Sequence, residues 1–438
     1  MKRCRTLLLL TLLALPPAAL APASAVAEGS QAAEPLDALA YTVVRTPPAE
    51  RIRLTPLERD RNVLVDRVRP FPDREPPGVF WYDRAGVSYG LVYQKKRAPL
   101  VFLIAGTGAS FNSDTNKLLA QTLYQDGFHV LGFPSPTHPN FIVNASESGV
   151  PGRMADDARD LYRVMRLAHD RVKDRIAISD LYLAGYSLGG THAAWVAKLD
   201  EQERAIGFDK VLLLNPAVSL YDSVEILDAM YDRRVADDPG AAQAIVDRVF
   251  TRFAEVYTRD QDVSFDGEFL YRAYEEFQPG AEALETVIGT SFRYSLVNLA
   301  FVADVMSKGG YMVPPDAGLG PTTSLTNFYK HAFRTSFVDY LDGLYLPYFQ
   351  REDPALTRER AIREAGLLPL EGWLAGDPKV GVITNRDDII LRPDEVAWLE
   401  RTFGSRAVVL PDGGHCGNYQ RRDFADALVG FFRRGGGP

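Results

Sequence analysis

Cysteine is nearly missing from this chain: there are two in 438 residues, Cys4 and Cys416. Cys4 lies in a segment expected to be removed, so the mature chain keeps a single thiol. A lone thiol excludes an internal disulfide, and stability has to come from a packed core. Long apolar runs are missing too. Beyond the N-terminal segment no stretch is long and apolar enough to be expected to span a bilayer. Runs of basic residues are also absent. Lys and Arg number 49 against 57 Asp and Glu, for a formal charge of −8, and an acidic body without a basic patch argues against a nucleic-acid partner. Histidine is sparse, with six in all, so each can be weighed individually.

What is present begins with a targeting pattern. Met1-Lys2-Arg3-Cys4-Arg5 is a basic start, and Leu7 to Leu15 is a leucine-rich core too short for a stable anchor. Ala23-Ser24-Ala25 and Ala25-Val26-Ala27 are small-residue cleavage sites. Residues 1–27 are therefore expected to be a signal peptide, with export to a periplasm or the medium and no stable membrane anchor afterwards. Its loss would remove three positive charges and make the body more acidic still. About 410 residues would remain, enough for one large or two moderate domains.

Residues 28–78 are rich in Pro, Arg and Asp, with prolines at 47, 48, 70, 72, 76 and 77. They read as an irregular N-terminal arm with one strand, Ala40 to Val44. Val79 to Tyr93 alternates as one or two strands of a hairpin. Strands then alternate with helices. Pro99–Ala105 is a continuous apolar run, as expected of a strand buried on both faces of a parallel sheet. Helix Asp114–Gln125, strand Phe128–Phe133, helix Ala155–Leu167, strand Leu181–Ala184 and strand Lys210–Asn215 come after it. This order predicts an α/β class, a doubly wound, mostly parallel sheet with right-handed crossovers.

From Val224 to about Leu374 the alternation stops. Helical patterns are expected at Val224–Tyr231, Ala241–Tyr257, Glu268–Glu276, Ala281–Met306, Thr326–Leu344 and Thr357–Ala365. Residues 224–374 thus read as a helical cap inserted into a core made of 79–223 and 375–438. The Ala281–Met306 helix is apolar on more than one face, which suits either a lid lining or a plain buried helix. The sheet resumes at Lys379–Thr384, with helix Pro393–Phe403, strand Ala407–Leu410 and helix Asp423–Phe432 after it.

Two segments fit Gly-x-Ser-x-Gly. Gly185-Tyr186-Ser187-Leu188-Gly189 ends an apolar strand and opens a small-residue helix, the context a nucleophile elbow needs. Gly86-Val87-Ser88-Tyr89-Gly90 comes after no buried-type strand and runs on into an extended segment, so Ser88 reads as an ordinary strand residue. A serine hydroxyl is a poor nucleophile at neutral pH. It needs a base, a carboxylate to orient that base, and donors for an oxyanion. Just past the strand at Lys379–Thr384 stand Asp387 and Asp388. Adjacent residues point different ways, so one of the two is the expected acid. The spacing of an acid, any residue and a branched apolar pair favours Asp387, with Asp388 as the alternative. His415, in a glycine-rich loop after the last strand, is the expected base. His129, His169, His192 and His331 read as structural, and His138, in a proline loop, is a candidate to line the site. The N–H of Leu188 is one expected oxyanion donor. The other is expected after the Pro99–Ala105 strand, from Thr107 or Gly106, with Thr107 preferred. Cys416 beside His415 reads as a small buried residue.

With these pieces in order the chain resembles the α/β-hydrolase family, over about residues 95–222 and 376–432. Gly185–Gly189 matches the elbow, and Asp387 and His415 match the acid and histidine in family order. One position departs from the family pattern: its usual His-Gly after the third core strand is Ala105-Gly106 here. The resemblance implies hydrolysis of an ester, thioester or amide, without a metal or organic cofactor. The expectation is an exported serine hydrolase of carboxylesterase or lipase type, acting on a small-molecule or lipid acyl substrate through an acyl-enzyme. The alternatives are a peptidase or acyltransferase of the same fold, or a non-catalytic binding protein built on it. Dehalogenase chemistry is disfavoured because the nucleophile position holds Ser and not Asp.

Overall fold

A computed structural model describes residues 36–55, 57, 62–235, 271 and 274–433. The expected signal peptide and the expected helix Ala241–Tyr257 lie outside the described residues, as does most of Glu268–Glu276. Eight strands form one sheet: β1 (Val63–Val68), β2 (Val87–Val92), β3 (Ala98–Ile104), β4 (His129–Phe133), β5 (Ile178–Tyr186), β6 (Lys210–Leu214), β7 (Val380–Asn385) and β8 (Ala407–Leu410). Their spatial order is β1-β2-β4-β3-β5-β6-β7-β8. The β1/β2 and β2/β4 pairs are antiparallel, and every pair from β4/β3 to β7/β8 is parallel.

The period-two alternation of each strand divides the core. On one face Leu100, Phe102 and Ile104 pack with Leu183, Val211 and Leu213 against helices Met154–Val172 and Leu188–Glu203. On the other, Val101, Leu103 and Ala105 pack with Tyr182, Ala184 and Leu212 against Asp114–Gln125 and Arg422–Arg433. Both faces are covered, which is why the central strands read as unbroken apolar runs. The architecture is that of the α/β-hydrolase fold.

The N-terminal arm differs from expectation in two ways. Ala38–Val44, read as partly strand, is a helix, here α1. Asp37 caps it, its carboxylate accepting from the Ala40 N–H at 2.7 Å, and Ala40, Tyr41 and Val44 share its buried face. A cap and a one-turn apolar spacing outweigh the β-branched pair Val43-Val44. The arm also supplies β1, the edge strand that pairs with β2; the first part of Val79–Tyr93, read as hairpin strand, belongs to a 3-10 turn over Gly78–Asp83 instead.

The region 224–374, read as a cap, is entered through α2 (Leu220–Val235) and continues with α3 (Ala281–Ser307). Arg293 of α3, 3% exposed, pairs with Asp228 and Asp232 of α2, each at 3.1 Å, and lies over the Tyr231 ring. A buried cation shared between a buried and a half-exposed carboxylate thus ties the two helices together. The two halves of α3 are packed differently. Leu284, Ile288 and Phe292 line a cavity, while Leu296, Leu299, Ala300 and Phe301 sit in a separate apolar core with Ile142 and Val143. The helix expected over Thr326–Leu344 is broken after Ala332. It restarts at Ser336, whose side chain and that of Asp339 form a reciprocal capping box. Among the described residues no helix is long and apolar enough to cross a membrane.

Candidate active site

β5 stops at Tyr186 and the next helix starts at Leu188. Ser187, between them, has φ 55° and ψ −131°. This conformation is costly for a residue with a side chain and persists where surrounding packing enforces it. The enforcement comes from glycine on either side. A Cβ on Gly185 would collide with the Gly189 carbonyl, and one on Gly189 would collide with the carbonyls of Ile104 and Ala105. The strand and helix can therefore cross at contact distance only with glycine in both places. The Ser187 N–H donates to the Leu214 carbonyl at 2.8 Å, and the hydroxyl is left at the helix N-terminus, over the carboxyl ends of the parallel strands.

His415 reaches that hydroxyl: its Nε2 lies 2.9 Å from Ser187 Oγ. Its Nδ1 lies 3.0 and 3.2 Å from the two carboxylate oxygens of Asp388. The acid in contact with the imidazole is therefore Asp388, and the preference for Asp387 is corrected. Asp388 is buried and also accepts from Asn215 Nδ2 at 2.8 Å and the Ile390 N–H at 3.2 Å. Asp387 turns the other way, into the loop that carries the histidine, where its oxygens accept from the N–H groups of Gly413 and Gly414 at 3.2 and 3.0 Å. Both carboxylates serve His415, one at the ring and one at the backbone beneath it. Burial raises the Asp387 carboxyl above its usual range, against the lowering effect of those two N–H groups.

The imidazole is subject to opposing effects. Burial pulls its pKa down, while the charge and hydrogen bond of Asp388, with Cys416 adding in the same direction, push it up. The balance lies well above the ordinary histidine value of 6.5. The His415 side chain keeps 16% of its surface exposed, whereas that of Asp388 has none. The carboxylate is thus shielded from water while the imidazole keeps an exposed edge.

Three supports of the site were not legible from the sequence. Asn215, at φ 45° just after β6, holds Asp388 in place. Thr42 of α1 accepts from the His415 N–H at 2.9 Å while donating to the Ala38 carbonyl at 2.7 Å. Asn385 and Asn418 bond each other, and Asn385 also donates to the Gly414 carbonyl at 2.7 Å. An asparagine at the end of a buried strand, at 215 and again at 385, was the available signal, since Asn tolerates positive φ and brings both donors and an acceptor.

On the oxyanion side, Thr107 and Leu188 both border the space in front of Ser187. Neither backbone N–H has an acceptor among the described residues. Gly106 plays a different part. It packs against Tyr186, where a Cβ would come within 2.9 Å of the ring. Its backbone and Ser113 both act on the Tyr186 hydroxyl, which burial nonetheless raises to about 12. That leaves Thr107 and Leu188 as the two donors free to face a developing oxyanion.

The remaining candidates fall elsewhere. Ser88 is a β2 residue opposite Arg67, whose Nε donates to the Ser88 hydroxyl at 3.1 Å. His138 caps the helix Pro139–Asn144, accepting from the Asn140 N–H, and burial lowers its pKa to about 4. It does not line the cavity at Ser187. His129 bridges Gln94 and Ala177, and His192 faces Asp157. Cys416 does line that cavity and is half-buried, with the Tyr419 hydroxyl donating to its sulfur at 3.1 Å. Among the described residues no group of three or more His, Cys, Asp or Glu side chains is placed to hold a metal.

Ser187 and His415 open on a cavity of about 780 Å³ between the sheet and the cap, a size that suits a drug-sized organic molecule. Leu188, Leu220, Val224, Leu227, Ile288 and Ile389 supply much of its apolar wall.

No protein-family model matches the chain, and no curated protein matches it. Among solved structures it is similar to Est1E from Butyrivibrio proteoclasticus, at 14% identity over 79% of this chain and 94% of that one, with a TM-score of 0.36. It is similar to the Pyrococcus furiosus esterase Pf2001, at 11% identity over 80% and 88%, TM-score 0.38. It is also similar to a hyperthermophilic esterase from the archaeon Pyrobaculum calidifontis, at 14% identity over 84% and 83%, TM-score 0.37. With identities this low and TM-scores under 0.5, the site's own geometry has to carry the functional assignment.

Proposed function

We propose that the protein is a serine hydrolase that cleaves a carboxylic ester through Ser187, His415 and Asp388. The observation that carries this is the unbroken chain of contacts from Ser187 Oγ through His415 to a fully buried Asp388 carboxylate, at 2.9 and 3.0 Å. His415 takes the Ser187 proton as Oγ attacks the acyl carbon, and Asp388 fixes the tautomer and stabilises the imidazolium that forms. The N–H groups of Leu188 and Thr107 receive the oxyanion, and each such donor is typically worth about a hundredfold or more in rate. His415 then protonates the departing alcohol, and water activated by the same imidazole releases the acid.

The cavity lining favours an ester over a peptide. An aminopeptidase needs carboxylates to receive a substrate amino terminus, and Asp114 is the sole carboxylate among the described lining residues. The N-terminal pattern of basic start, leucine core and small-residue cleavage sites supports export of the enzyme to a periplasm or the medium. N-terminal sequencing of the protein recovered outside the cytoplasm, starting at or near residue 26 or 28, would bear that out; an intact Met1 would overturn it.

A fluorophosphonate probe tests the chemistry. Labelling of the wild-type protein that maps to Ser187 and is lost in Ser187→Ala is the expected outcome. It should be accompanied by turnover of nitrophenyl acetate and not of aminopeptide anilides. Native protein that is neither labelled nor active on esters would favour a binding role for the fold.

A further inference from the structure

Beside the large cavity lies a second, of about 90 Å³. It is walled by Phe337, Tyr340 and Tyr345 of the cap and by Ala361 and Ala365 further along. Its surface is apolar because the polar groups nearby are engaged. The Asp157 carboxylate accepts from the Gly152 N–H at 2.8 Å and faces His192, and the Tyr340 hydroxyl donates to the Pro151 carbonyl at 2.8 Å. Thr107 and Leu188 border both cavities, whereas Ser187 and His415 border the large one and not the small one. Leu220, Val224 and Phe292 also border both, so they form the partition, and the Phe292 ring is stacked on Phe337 at 4.5 Å between centroids.

The tetrahedral intermediate has four substituents, and the site assigns three of them. One is Ser187 Oγ. The second is the oxyanion, between the Leu188 and Thr107 N–H groups. The third is the leaving oxygen, which has to face His415 Nε2 to collect its proton and therefore departs into the large cavity. The fourth, the acyl carbon chain, is left to run along Thr107 and Leu188, which flank Ser187 and border both cavities. We propose that the small cavity is the acyl pocket and the large one the alcohol pocket, so that the enzyme takes esters of short acyl groups with bulky, apolar alcohols. At roughly 30 Å³ for each water-sized or methylene-sized unit, the small cavity holds about three carbons beyond the carbonyl. In the acylation step the Ser187 Oγ–C bond forms, the bond from the acyl carbon to the alcohol oxygen breaks, and the Ser187 proton passes through His415 to that oxygen. The short acyl group stays in the small cavity until water releases it. This partition rests on the ester-hydrolase assignment above.

Two substrate series test it. In nitrophenyl esters of acetate, butyrate, octanoate and dodecanoate, kcat/KM is expected to fall at least about tenfold past butyrate, since a pocket wall rejects each excess methylene by a factor of that order. In acetates of methanol, butanol and naphthol, kcat/KM is expected to hold or rise with alcohol size. Phe292→Ala joins the two cavities and should raise octanoate relative to acetate by about tenfold. Ala365→Leu fills the small cavity and should depress butyrate relative to acetate, moving the profile the opposite way without opening the cap. Fluorophosphonate labelling of Ser187 in the same preparations separates the possible failures. A labelled wild-type enzyme that prefers long acyl chains, or labelled variants that leave the acyl profile unmoved, overturns the partition alone. An unlabelled, inactive wild-type protein overturns the ester-hydrolase assignment and the partition with it.

Discussion

The same Gly-x-Ser-x-Gly pattern occurs twice in this chain and does two different things. At Gly86–Gly90 the serine lies in β2, an antiparallel strand near the sheet edge, where its hydroxyl accepts from Arg67 and its N–H donates to Asn140. At Gly185–Gly189 the serine terminates a central parallel strand, takes φ 55°, and meets a histidine at 2.9 Å. The glycine frame is shared; the two sites differ in the elements on either side of it. A strand that continues satisfies the serine through the ladder and its neighbours. A buried strand forced to turn at once into a helix leaves the hydroxyl with no neighbour on its own segment, so a residue from 228 positions away can claim it.

The sharpest way to break this contrast is to delete both hydroxyls. Ser187→Ala should lower ester kcat by about a millionfold, while Ser88→Ala should leave kcat/KM unchanged; comparable losses in both would end the distinction. The adjacent acids come next. Asp388→Asn should cost about 10⁴ in kcat through loss of the correct tautomer. Asp387→Asn, which disturbs the backbone beneath the ring, should cost about 1–3 kcal/mol of stability from the weakened Gly413 and Gly414 bonds, with a far smaller loss of rate. Equal kinetic losses would mean that the loop, and not the ring contact, limits turnover.

The closing glycine of each pattern supplies a third test, by thermal or urea unfolding. Gly189→Ala drives a Cβ into the carbonyls of Ile104 and Ala105 and should cost about 3 kcal/mol or more. Gly90→Ala meets the edge of the Phe111 ring, a partly exposed side chain that can swing aside, and should cost about 1 kcal/mol or less.

The smallest effect lies in pH. A base works only when neutral, and the pKa of His415 is raised, so kcat/KM should rise with pH through an inflection above the ordinary value of 6.5. The sign for stability is the reverse: the paired imidazolium stabilises the fold at low pH, and this contribution is lost as pH rises through the same raised value. In Asp388→Asn the residual activity should show its inflection at lower pH. Cys416→Ala should move it down only slightly, because Cys416 adds to the effect of Asp388. An inflection unmoved by Asp388→Asn would detach the carboxylate from the base.

Much of the core was legible in the sequence because its signals are local. Unbroken apolar runs marked β3 and β6, and the helix expected at Pro393–Phe403 has those bounds. The elbow was equally local, since a strand, two glycines and a helix leave the chain one way to turn. The arm was misread because Val43 and Val44 favour strand by propensity, whereas burial of Ala40, Tyr41 and Val44 together fixed a helix.

By itself, then, the sequence determined the sheet, the elbow that exposes Ser187, and the order of serine, acid and histidine. Only the tertiary structure decided which neighbouring acid meets the histidine, that α1 supports the histidine loop, and how Phe292 divides the space beneath the cap. The physical reason is range. Strand and turn are fixed by residues a few positions apart, but the direction of a carboxylate is fixed by the donors that reach it. For Asp388 these include Asn215 and His415 beside the nearby Ile390 N–H, and for Asp387 the backbone of Gly413 and Gly414; all but Ile390 are distant in the chain and brought together only when the sheet closes.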